Sequence, residues 1–233
     1  MALLLLCSLA ANAWTSLGPE GAEKFSVNFE AKVTPVGSRA TAKDASQVVF
    51  WLTALDSPGP PVPPQQHFRV VQRDKMFHPD FLVIPQGSTV DFPNLDPWFH
   101  NVFSQFRGKR FDLGLYQAGS QRSVKFDKAG VSYLFCNIHP DMTAIIVSVD
   151  SNFYAVSDPS GHARIAEVPA GRYELHVWHR DATPESLNSV QRIVEVDQNR
   201  TVVAQIQTKP QGKQGHKNKY GHDYDPDPLN PQY

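Results

Sequence analysis

Apolar residues along this chain recur every second position in short runs, and the three-to-four spacing of a helix is scarce. "FSVNFEAKV", "SQVVFWLTAL", "FLVIP", "STVDF", "VSYLFC", "TAIIVSV", "RYELHVWH" and "TVVAQIQT" alternate or are β-branched. Successive side chains of a strand point to opposite faces, so this alternation marks half-buried strands. Turn signals separate the runs: "PQGS", "KAG", "DPSG", "PAG" and "VDQN". Gly, Pro, Asn and Asp supply the backbone angles that tight turns need. The pattern predicts an all-β protein made of sandwiches. The stretch "TPESLNSV", 183–190, is expected to be a loop or one helical turn at most.

Two segments break the rhythm. "LDSPGPPVPPQQ", 55–66, is proline-dense and is expected to be a stiff connector. Residues 209–233 hold few aliphatic side chains and many Gly, Pro and charged ones, the composition of a flexible tail. His216 and His222 in that tail offer weak metal ligands at best. At the other end, an apolar run from Ala2 to Ala10 precedes "ANA", a small-x-small pattern ending at Ala13. That order is expected of a secretory signal peptide, residues 1–13, although no Lys or Arg stands before the apolar run. The run is too short to span a bilayer, and a lipid anchor on Cys7 is disfavoured by how little apolar chain precedes it. The expectation is therefore an exported, periplasmic protein with no integral membrane segment after cleavage.

The 233 residues suffice for a substantial core, in one or two domains. A formal net charge of −1 gives no electrostatic reason to expect nucleic acid as a partner. Cysteine is more informative. Cys7 and Cys136 are the two in the chain, and Cys7 would leave with the signal. A lone cysteine in an oxidising compartment has no internal disulfide partner, so it is buried and inert, or a ligand, or a nucleophile.

Cys136 sits in "FCNIHPDM", with His139 and Met142 following at intervals of three. Flanking strands place these side chains on one loop at the end of a sheet. Thiolate and thioether beside imidazole suit copper, and two His, one Cys and a weak axial Met form an electron-transfer copper set. The second histidine is expected to be His100 in "NLDPWFHNVFS", also at a strand end. Zinc is a lesser rival because it does not favour thioether. A nucleophilic cysteine would need an adjacent base and an orienting group. Trp98, Phe99, Phe103, Phe106 and Phe135 are candidates to exclude water around the site, or ordinary core aromatics. Arg107, Lys109 and Arg110 form a small basic cluster, either a solvated turn or a surface that steers an acidic partner.

Residues 67 to 149 resemble the cupredoxins, the plastocyanin and amicyanin family of small blue copper proteins. The resemblance is carried by "FLVIPQGSTVDFPN", by "FHN" with His100, and by "YLFCNIHPDM", in that order. It implies a Greek-key sandwich holding one copper ion through His100, Cys136, His139 and Met142, with Asn101 tying the two ligand loops together. It further implies a type 1 copper protein cycling between Cu(I) and Cu(II) as a one-electron carrier, not an enzyme, with transient redox protein partners and His139 as the electron portal. The alternatives are copper storage or delivery, or a binding module in which copper is structural.

Residues 153–179, "FYAVSDPSGHARIAEVPAGRYELHVWH", are similar to the carboxypeptidase regulatory-like, transthyretin-like sandwich. The expected layout is a cupredoxin unit, 66–150, inserted into a discontinuous sandwich, 24–56 plus 151–208. A larger cupredoxin followed by a separate domain is the competing layout. Both halves together resemble bacterial proteins of the methylamine-utilisation type. His176 and His179, three apart on a strand, point to opposite faces and are a poor metal pair.

Overall fold

Strand alternation becomes pairing in the structure, a computed structural model that describes residues 23–56, 66–105, 108–209 and 217–224. The expected signal peptide, 1–13, and most of the proline-dense connector lie outside the described residues. In chain order the elements are β1 (Lys24–Pro35), β2 (Val49–Ala54), β3 (His67–Arg69), β4 (Val71–Arg73), β5 (Met76–His78) and β6 (Phe81–Pro85). Then come β7 (Thr89–Pro93), β8 (His100–Ser104), β9 (Phe111–Tyr116), β10 (Gln121–Lys125), β11 (Gly130–Phe135) and β12 (Thr143–Val149). The chain continues with β13 (Tyr154–Val156), β14 (His162–Pro169), β15 (Gly171–Trp178), α1 (Pro184–Val190), β16 (Arg192–Val196) and β17 (Arg200–Thr208). The protein is all-β, with this one short helix among the described residues. No helix among them is long and apolar enough to cross a membrane.

Strands β3 to β12 pair among themselves. The sheets β10-β7-β3 and β6-β12-β11-β8-β9 enclose a core that includes Phe77, Ile84, Phe92, Phe126, Leu134 and Ile146. Strands β1, β2 and β13 to β17 form the sheets β14-β1-β17 and β13-β2-β15-β16. Between these lies a second core built on Phe29, Phe50, Leu52, Leu175 and Ile206, with the Phe29 and Phe50 rings stacked at 4.4 Å. The turn at "DPSG" closes with the Gly161 N–H on the Asp158 carbonyl at 2.9 Å. Gly161 has φ +86°, and a Cβ there would sit 2.3 Å from the Ala31 carbonyl oxygen, so only glycine fits.

A third apolar layer joins the two sandwiches. Along β12, Ala144 and Ile146 face the first core, whereas Ile145, Val147 and Val149 face outward. Along β2, Phe50 and Leu52 face the second core, whereas Val49 and Trp51 face outward. The outward residues pack together with Val83, Phe81 and Trp178, and the last two rings stack at 6.0 Å. Two-residue periodicity thus buries both faces of β12 and leaves it almost no solvent face.

The 183–190 stretch departs from expectation, since α1 is a genuine if short helix. Thr183 caps it, accepting from the Ser186 N–H at 3.2 Å, with Pro184 at the first turn and Glu185 beside the helix N-terminus. The signal was local, a Thr-Pro-Glu start rather than a long apolar stripe. A second departure concerns 217–224, within the segment expected to be a tail. These residues lie against the β8 and β11 loops, because polar side chains there find partners that composition alone cannot reveal.

Burial on both faces of β12 sets a stability contrast. Ile146→Ala should cost about 2–5 kcal/mol in denaturant unfolding. Val203→Ala, on a strand position 40% exposed, should stay within about 0.5 kcal/mol.

Candidate metal centre

Strands β8 and β11 are antiparallel neighbours, with Phe103 opposite Phe135. The start of β8 therefore lies at the same end of the sheet as the end of β11. That places His100, the first residue of β8, beside Cys136, which directly follows β11. The β11–β12 loop then delivers His139 and Met142. This loop is tight because it bonds to itself: the Cys136 N–H donates to the Met142 carbonyl and the Met142 N–H to the His139 carbonyl, each at 3.1 Å.

The ligand atoms of His100, Cys136 and His139 all lie within 4.8 Å of one another. Cys136 Sγ is 3.6 Å from His139 Nδ1 and 3.9 Å from His100 Nδ1. Bonds of about 2.0 Å to nitrogen and 2.3 Å to sulfur, opened by about 120°, separate donor atoms by about 3.7 Å. The donor spacing fits one ion. His100, Cys136 and Met142 are fully buried and His139 is half-buried. Met142 packs in the same apolar cluster as Cys136.

Protonation states suit ligation. Burial pushes the His139 imidazole down to about 4, with neighbouring His100 and Lys75 adding to the shift and Asp96 opposing it. His100 is also lowered by burial, which outweighs the opposing pull of Asp96. Both rings are neutral at pH 7, with lone pairs to give. Burial raises the Cys136 thiol, while the nearby backbone amides of Asn101, Ile138, His139 and Asn137 pull the other way and favour its anion. A bound cation would complete what those amides begin.

Asp96 is the residue that sequence reasoning missed. Its Oδ2 accepts from His100 Nε2 at 2.7 Å, inside the protein. With Nε2 carrying the proton, Nδ1 is left as the donor facing Cys136, the role a carboxylate plays behind a metal-binding histidine. Asp96 is itself held. Burial would raise its carboxyl, but the Lys75 and Asp74 amides and the His100 N–H together keep it below the usual range. Those amides, at 2.7 and 2.8 Å, belong to the two-residue β4–β5 turn, where Asp74 and Lys75 both have φ +56°. The left-handed turn aims consecutive N–H groups at one carboxylate, which offsets its own strain. Buried Asn94 fixes the rest of this loop, accepting from the Asp96 N–H at 3.0 Å and donating to the Trp98 carbonyl at 2.7 Å. The visible clue was an Asp four residues before His100 in "NLDPWFH".

Asn101 bridges the two loops: its Oδ1 accepts from the Asn137 N–H at 2.9 Å and its Nδ2 donates to Asp112 at 2.8 Å. Among the aromatics expected to exclude water, Phe103 and Phe135 pack together at 5.7 Å. Trp98 and Phe99 are each 46% exposed, so that expectation fails for them, and Lys75 lies 5.4 Å from the Trp98 ring. Tyr116, Leu134 and Ala144 are among the residues clustered with Cys136 in their place. Phe106 and Arg107 lie outside the described residues. Lys109 is taken up by Asp127 at 2.8 Å, leaving Arg110 exposed beside it. His176 stacks on Trp51 in the other sandwich, and His179 accepts from the Asp181 amide. Neither joins a metal-competent cluster among the described residues. His222 is exposed and His216 lies outside them.

No protein-family model matches the chain, and a search of curated proteins finds no match. Solved structures do show similarity. A reduced amicyanin variant is 21% identical over 36% of this chain and 82% of its own, with a TM-score of 0.34. A purple cupredoxin from Nitrosopumilus maritimus is 23% identical over 35% of this chain and 99% of its own, at 0.33. A copper-containing nitrite reductase from Thermus scotoductus is 23% identical over 52% of this chain but 28% of its own, at 0.35.

Asp96→Asn should weaken metal binding by about 10- to 100-fold, measured by competition with a chelator of known affinity. The geometry of this chain thus assembles two imidazoles and a buried thiol around one point, a donor set that could hold one metal ion.

Proposed function

We propose that the protein is an exported type 1 copper protein acting as a one-electron carrier. The observation that carries this is the convergence of His100 Nδ1, His139 Nδ1 and Cys136 Sγ at one buried pole. Met142, buried on the same loop, would complete the donor set as a weak thioether ligand. Copper, when bound, supplies exchange of one electron between Cu(I) and Cu(II). The chain's residues supply the rest. Asp96 fixes the His100 tautomer, Asn101 holds the loops in register, and the sandwich core excludes water. Ligands held rigidly by both loops require little rearrangement between oxidation states.

Burial favours a carrier over a catalyst. His100 and Cys136 are buried, and His139 is the partly exposed one of these three, which offers an electron a short route to the surface. A transient redox protein is the partner proposed there. Export to the periplasm rests on residues 1–13 of the sequence. We read 66–150 as a cupredoxin unit inserted into a transthyretin-like sandwich formed by 24–56 and 151–208. This layout is supported by the pairing of β1 with β14 and β17, and of β2 with β13 and β15.

Adding Cu(II) to the metal-free protein should give an intense thiolate-to-copper band and a narrow copper hyperfine splitting. Cys136→Ser should abolish the band, and Met142→Leu should keep it while raising the reduction potential measured by voltammetry. Tight binding of Cu(I) without a blue form would favour storage or delivery instead.

A further inference from the structure

Lys219 engages three groups at once. Its N–H donates to Asn137 Oδ1 at 3.0 Å, its carbonyl accepts from Gln105 Nε2 at 2.9 Å, and its ammonium donates to Asp112 Oδ2 at 2.8 Å. The other oxygen of Asp112 accepts from Asn101, and Asn101 accepts from the Asn137 N–H. Lys219, Asn137, Asn101 and Asp112 thus close a ring of hydrogen bonds. Two of its members directly follow His100 and Cys136 in the chain. Tyr224 adds a second anchor, its hydroxyl donating to the Cys136 carbonyl at 2.7 Å. The segment is a folded turn in its own right, since the Asn218 N–H donates to the His222 carbonyl at 2.9 Å. Asn218 Oδ1 accepts from the Tyr220 and His222 amides at 3.0 and 3.1 Å.

We propose that the 217–224 strap is a built part of the metal centre, a releasable clamp through which Lys219 and Tyr224 hold the His100 and Cys136 loops at ligand spacing. Undocking the strap frees the Cys136 thiol and speeds metal loss. By linkage, a bound ion tightens the strap by the same factor that the strap tightens the ion. The metal half of this inference rests on the copper reading, whereas the thiol half does not. Lys219 and Tyr224 are positioning residues whose side chains reach the site through Asp112 and Asn101 and through the Cys136 carbonyl.

The test uses the full chain, wild type beside Lys219→Ala, Tyr224→Phe and Lys219→Arg. In the metal-free protein, the rate at which excess aromatic disulfide reagent labels Cys136 reports opening of the loop. Losing one such hydrogen bond should raise the rate roughly five- to tenfold in Lys219→Ala and in Tyr224→Phe. Lys219→Arg, which keeps a cation for Asp112, should stay within about twofold of wild type. Unchanged unfolding midpoints would assign the increase to the strap rather than to global opening. Equal labelling rates in all four proteins would overturn the clamp. In copper-loaded protein, chelator extraction should accelerate by the same factor, and extraction unchanged beside faster labelling would overturn its metal half. Faster labelling in a protein that takes up no copper would sustain the clamp and sink the copper reading. Copper uptake with neither rate altered would do the reverse.

Discussion

A buried carboxylate beside a buried imidazole is the constraint on which this pole is organised. Asp96 cannot stay charged inside the protein without donors, and it finds three: two turn amides and His100 Nε2. Satisfying the carboxylate determines the histidine tautomer, and the tautomer determines which nitrogen faces Cys136. A β4–β5 turn far from the ligands in sequence therefore governs the donor set. Remove that turn's left-handed geometry and the carboxylate loses its cradle, the imidazole its orientation, and the site its third corner.

The rest of the architecture keeps that corner still. Both ligand loops spring from adjacent strands of one sheet, so their separation is inherited from strand spacing rather than from loop length. Strand β12 begins just after Met142 and is packed on both sides, by its own sandwich core and by the layer shared with Trp51, Phe81 and Trp178. The second sandwich thereby braces the strand that leaves the metal loop. Loops on so firm a base hold donor atoms at fixed distances at little further entropic cost.

Much of this was legible from sequence, and the gaps have physical causes. Alternation revealed the strands because most have one face against a core, and "FCNIHPDM" exposed the candidate loop because three side chains of metal-ligating type share eight residues. His100 could be placed because it starts a strand. Asp96 was hidden because an aspartate near a turn is ordinary, and only the fold shows that it is buried. Trp98 and Phe99 misled because aromatic side chains beside a ligand need not point inward. Lys219 and Tyr224 lie in a stretch whose composition signals disorder, and their anchoring depends on Asn137, Gln105 and Asp112 for the one and on the Cys136 carbonyl for the other, all far away in the chain. α1 was underestimated because seven residues carry too few apolar positions to show a period, although Thr183 and Pro184 mark its start.

In the sheet β14-β1-β17, the first strand among the described residues runs parallel to the last, Val27 opposite Arg200 and Pro35 opposite Thr208. A ribosome releases β1 long before β17 exists to pair with it. The middle strands, which pair only with one another among the described residues, face no such delay. Assembly is therefore ordered by topology: the part bearing the thiol can close while its surroundings wait for the final strand, and the apolar edge of β1 needs protection in the interval.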